Sequence, residues 1–139
     1  MSKKTDYFSL FARYAIAIGF LSAIADRFGL WTPLLGSENV VWGNMKDFIT
    51  YTGVLLPWAP KFLLPLLAWT ATIAEAVLGI LLLVGFQKQL VALLSGILLL
   101  TFAFSMLFSL NIKAPFDYSV FAAAACAFLL YKESKNHSV

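Results

Sequence analysis

Charge is what this sequence has least of. Asp, Glu, Lys and Arg make up 12% of its 139 residues, against about 25% in ordinary soluble domains. Hydrophobic residues make up 61% and fall in long blocks, so composition alone places the chain in the membrane class. Cysteine is nearly missing. Cys126 stands alone, which excludes an intrachain disulfide and a CxxC pair. Histidine also occurs once, as His137 in a polar tail. A bundle without an internal histidine offers no His pair for haem and no His-rich di-iron or copper centre, so neither metal nor haem is expected. The ten basic residues against seven acidic ones sit at ends and turns. They do not interleave with exposed aromatics, which leaves nucleic-acid binding without support. The length fits one membrane domain, residues 1–139, with no room for a separate catalytic domain.

Long apolar runs are what the sequence does have. Four segments are long enough to cross a bilayer as helices: about residues 8–30, 62–86, 89–110 and 114–131. Only helices or closed barrels satisfy their backbone inside lipid, and these runs are too long for strands. Lys3 and Lys4 ahead of the first run resemble a signal peptide. The run is too long for one, however, and ends in Asp26-Arg27-Phe28 rather than a cleavage site, which reads as a retained span. The fold class expected is an all-α, integral membrane four-helix bundle. The turn at Gln87-Lys88 predicts a tight antiparallel hairpin of the second and third spans. The link from Trp31 to Lys61 carries Trp31, Trp42, Tyr51 and Trp58, residues typical of the headgroup interface. Within it, Val41, Met45, Phe48, Ile49 and Thr52 recur at helical spacing. They predict a short amphipathic interfacial helix over about 40–51, lying along the membrane surface. Six basic residues on one side (Lys3, Lys4, Arg13, Lys88, Lys132, Lys135) against four on the other predict both termini in the cytoplasm.

Helices in lipid associate through small residues and buried polar contacts. The faces expected to turn inward are Ala15–Gly19–Ser22 in the first span, and Ala68–Thr72–Glu75–Gly79 in the second. Ser95, Ser105 and Ser109 are expected inward in the third, and Ser119–Ala122–Cys126 in the fourth, with Phe121 and Phe128 toward lipid. Glu75 stands out. A charged group at the bilayer centre costs roughly 2.5–3.5 kcal/mol on insertion scales, so Glu75 is expected inside the bundle as a buried polar centre with Thr72. By depth, Arg13 is its expected partner; the alternative is that Arg13 snorkels to the headgroups. Asp26 and Arg27 mark the end of the first span, or with Asp117 line the outer mouth of a cavity. No catalytic residue and no metal ligand set is visible.

The layout resembles the DoxX family of small bacterial membrane proteins. The resemblance is carried by Arg13-Tyr14-Ala15-Ile16, by Gly19-Phe20-Leu21 and by the run from Ala74-Glu75-Ala76 to Val84-Gly85 before a short basic turn. It implies a four-span bundle in the bacterial cytoplasmic membrane. It also implies association with a membrane oxidoreductase complex, as an accessory or quinone-interacting subunit whose partner carries the electrons. Other expectations are an assembly or chaperone-like scaffold and, third, a small transporter. The partners expected are the lipid bilayer, a membrane oxidoreductase and a second copy of the chain.

Overall fold

An apolar chain must satisfy its backbone hydrogen bonds within each segment. In the computed structural model, which describes residues 6–137, every regular element among the described residues is helical. The helices are α1 (Tyr7–Arg27), α2 (Thr32–Leu35), α3 (Met45–Leu55), α4 (Leu64–Val84), α5 (Lys88–Ser109), α6 (Ala114–Asp117) and α7 (Val120–His137). Among the described residues, three stretches are long and apolar enough to cross a membrane: Tyr7–Arg27, Lys61–Val84 and Lys88–Ser109. Lys3 and Lys4, which count toward the expected orientation, lie outside the described residues.

Local chemistry sets the helix ends. Asp6 caps α1 by accepting the Phe8 and Ser9 amides, as side-chain oxygens do at helix N-termini. Pro65 in the first turn of α4 occupies a position where its missing N–H costs nothing. Gly85 closes α4 with a left-handed φ of 77°, its amide bonded to the Leu81 carbonyl. The segment 114–131 is not one helix. It breaks after Asp117, and Ser119 takes a φ of 54° before α7 begins. The apolar part of α7, Val120–Tyr131, extends about 18 Å at helical rise, and Lys132, Glu133 and Lys135 follow it.

α1 and α4 form one closely packed pair, and α5 and α7 another. Contacts of α1 with α7 and of α4 with α5 join the two pairs. The short turn between α4 and α5 therefore does not produce the tightest pair. The predicted inward faces of α1 and α7 are also corrected. α1 buries Ile16, Ala17 and Phe20, whereas Ala15 and Gly19 are exposed, and no atom stands within 4 Å of where a Gly19 Cβ would lie. α7 buries Ala124, Ala127 and Leu130. Phe128 turns onto Gly96 of α5, where an added Cβ would sit 2.7 Å from its ring. The physical reason is complementarity. α4 presents a small face, buried at Ala68, Thr72 and Gly79, and this takes large side chains opposite; a Cβ at Gly79 would lie 3.2 Å from Leu21. Small residues on α4 thus receive both a small residue, Ala17, and a large one, Leu21, of α1, so the gap between the helices is filled to interior density.

The helix of the long link, α3, lies later than the periodicity predicts, over Met45–Leu55 rather than about 40–51. Asn44 caps it by accepting the Asp47 amide at 2.8 Å. The residues before it are held in non-helical geometry by contacts with the end of α1. α3 packs against α4, α5 and α1, with Phe48 and Thr52 buried. The Ser109 hydroxyl on α5 donates to the Leu55 carbonyl at 2.6 Å and anchors its far end.

Candidate functional site

The end of α1 carries two adjacent charges, Asp26 and Arg27, only 6% and 3% exposed. Neighbouring residues on a helix point to different sides, and these two do different jobs. The Asp26 carboxylate accepts the backbone amides of Val41, Trp42 and Gly43 at 2.9, 3.3 and 2.9 Å. This draws the link back against α1. The close approach needs glycine: Gly29 and Gly43 have φ of 73° and 76°, and a Cβ on Gly29 would lie 3.0 Å from the Gly43 carbonyl. The clamp sets Trp42 and then Phe48 over the neighbouring arginine.

Arg27 faces the other way. A helical side chain leans toward the N-terminus of its helix, so the Arg27 guanidinium reaches back along the seam between α1 and α4. There it donates to the Glu75 carboxylate and, at 3.0 Å, to the Thr72 hydroxyl. Thr72 in turn donates to the Ala68 carbonyl at 2.8 Å. The Phe48 ring lies 3.6 Å from the guanidinium carbon and the Trp42 ring 5.0 Å away. The two rings meet edge to face. Arg27, Glu75 and Thr72 are each 3% exposed. A buried ion pair contributes little net stability, because desolvation offsets attraction. Removing one member, by contrast, leaves an uncompensated charge and costs about 3–5 kcal/mol. The Arg27 Nε and the Trp42 indole N–H are buried donors with no acceptor among the described residues.

The structure thus brings Glu75, Thr72 and Arg27 together and leaves Arg13 out. The expected Arg13–Glu75 pair does not form. Arg13 donates instead to the Leu83 carbonyl at 3.4 Å. Leu83 lies eight positions past Glu75 (83 − 75), about 12 Å at helical rise. Depth estimated from the span ends placed the two residues closer than the α1–α4 register allows. That register is set by Gly79 meeting Ala17 and Leu21 and by Phe28 meeting Trp69. The expected outer mouth is corrected as well. Asp26 and Arg27 are turned inward, and exposed Asp117 pairs with Lys113 of its own turn at 2.8 Å.

Sequence reasoning missed Trp42 and Phe48 as the lid on this centre and read Trp42 as an interface residue. One signal was available. An Asp-Arg pair ending an otherwise apolar helix has one member free to bend back down the bundle while the other captures the link. In comparisons with known proteins, no family model, no curated protein and no solved structure matches the chain.

Proposed function

We propose that this chain is a four-span membrane protein that serves as an accessory, quinone-interacting subunit of a membrane oxidoreductase complex. In this reading α6 and α7 together form the fourth crossing, and α3 lies at the membrane interface against the bundle. The observation that carries the proposal is the centre at Arg27. Two buried donors, the Arg27 Nε and the Trp42 indole N–H, stand without acceptors among the described residues, beside the Phe48 and Trp42 rings. A planar ring bearing carbonyl oxygens supplies what such a site lacks, namely acceptors for both donors and a face to stack. Glu75 is engaged with Arg27, so its part is to hold the guanidinium in place. The electron carrier belongs to the partner. The resemblance of residues 13–21 and 74–85 to the DoxX family supports the oxidoreductase association and a bacterial cytoplasmic membrane.

The test is purification of the full-length chain from native membranes in mild detergent, with identification of co-purifying proteins and extraction of quinone. A membrane oxidoreductase and quinone should co-purify. Trp42→Phe, which keeps a ring and removes the N–H, should lower the quinone recovered about tenfold, the worth of one hydrogen bond to a buried group. A monodisperse protein carrying neither partner nor quinone overturns the proposal.

The scaffold reading is favoured by a different observation. Ala15 and Gly19 of α1 and Ala122 and Ala125 of α7 are exposed small residues, and in lipid small residues let a neighbouring helix approach closely. If the chain acts only as a scaffold, Gly19→Leu abolishes partner recovery, while Trp42→Phe leaves partner and quinone recovery unchanged.

A further inference from the structure

The opposite end of the α1–α4 pair collects positive charge. Arg13 of α1 and Lys88 of α5 converge on Gly85, the residue that closes α4. A Cβ at Gly85 would lie 3.2 Å from Arg13 Nη1 and equally 3.2 Å from Lys88 Cε. Neither cation has a carboxylate partner among the described residues. Among the described residues, Arg13 makes one long hydrogen bond, to the Leu83 carbonyl, and its Nε is buried without an acceptor. The carboxylate of Asp6 is engaged elsewhere: it caps α1 and accepts the Ser9 hydroxyl. α5 also begins at this turn with no side-chain cap, so its positive end adds to the same field. Two cations gathered at one turn without an acid repel each other. An anion bound by both turns repulsion into two attractions. A glycine here lets both side chains close on the end of α4, and its left-handed φ of 77° disfavours a side chain of its own.

The place narrows the anion. The turn joins two helices long enough to cross a membrane, so it lies where their apolar runs end. Exposed Phe86 and the Tyr14 ring, 5.3 Å from the Arg13 guanidinium carbon, flank it, as aromatic residues flank headgroups. A forked guanidinium beside a lysine ammonium suits phosphate oxygens. We infer that Arg13, Lys88 and the start of α5 form a binding site for a phosphate group, that of an anionic phospholipid or of a soluble phosphate. The site is independent of the centre at Arg27 and does not require the oxidoreductase assignment.

The test uses the full-length protein in nanodiscs of phosphatidylcholine with increasing phosphatidylglycerol. Lipid retention is read by native mass spectrometry and unfolding by circular dichroism. Wild type should retain phosphatidylglycerol over phosphatidylcholine. Lys88→Gln, at an exposed helix start where folding is not at stake, should cut that preference about fivefold, the worth of one cation at a headgroup surface. Arg13→Gln/Lys88→Gln should abolish it, and Lys132→Gln, an exposed cation on α7, should leave it unchanged. In pure phosphatidylcholine discs, inorganic phosphate that raises the unfolding temperature of wild type but not of Lys88→Gln assigns the site to a soluble phosphate. Equal retention of both lipids without any phosphate effect overturns the inference. So does an equal loss of preference in Lys88→Gln and Lys132→Gln.

Discussion

The two ends of the α1–α4 pair each carry an arginine of α1, and the two arginines are used in opposite ways. Arg27 is 3% exposed, engaged with a carboxylate and a hydroxyl, and roofed by two aromatic rings. Arg13 is half-buried, holds one backbone carbonyl at the end of α4, and shares its turn with a second cation. The contrast shows what makes an internal charge a lock. A guanidinium anchors two helices when its partner's charge lies within reach in the helix register. When only a helix end is in reach, it remains a cation in need of an anion.

This comparison can be broken most severely at the closed end. Glu75→Ala leaves Arg27 buried without its counter-charge and should cost about 3–5 kcal/mol, read as a lower unfolding temperature in detergent. Replacing the pair together, as Arg27→Met/Glu75→Leu, should restore most of that loss. A double-mutant cycle should find Arg27 and Glu75 strongly coupled and Arg13 and Glu75 additive within about 0.5 kcal/mol. Next in size is overpacking of the seam. Gly79→Val places new methyls against Leu21 and the Ala17 carbonyl and should destabilise by about 1–3 kcal/mol. Gly19→Val, with open space around it, should cost far less, because only a glycine facing a neighbour meets one. Asp26→Ala releases three backbone amides of the link and should cost about 1–3 kcal/mol. Its sharper readout is faster proteolysis between Trp31 and Met45, with α1 and α4 left intact. The smallest effect belongs to the open end. Arg13→Leu removes a cation from the terminus of α4 and should cost about 0.3–1 kcal/mol in neutral lipid, with its main consequence in the response to anionic lipid.

The membrane class and three of the apolar helices were legible because long runs without charge leave the backbone no other way to satisfy itself. Glu75 was legible as a special residue for the same reason: a lone carboxylate in such a run demands compensation. Its partner was not. Arg13 and Arg27 lie on the same helix, on either side of the level of Glu75, and choosing between them needs the register between α1 and α4 and the direction in which an arginine leans. The inward faces of α1 and α7 do not follow their small residues, because glycines opposite receive large side chains: Gly79 of α4 receives Leu21 of α1, and Gly96 of α5 receives Phe128 of α7. The split between α6 and α7 was hidden too. Asp117 and Ser119 mark the place, but whether a polar pair caps a new helix or merely interrupts an apolar run is decided by the backbone, where Ser119 turns into the left-handed region.

By itself, the sequence determined the solvent in which this chain folds, the helical character of its long runs, and the presence of one charge that had to be matched inside. These are one-dimensional properties, read from how far polarity is spaced along the chain. The tertiary structure alone decided which cation does the matching, which face of each helix is covered, and that the long link returns to roof the pair with Phe48 and Trp42. Those depend on helix register and on backbone amides captured across a turn, distances between segments that no local pattern of residues encodes.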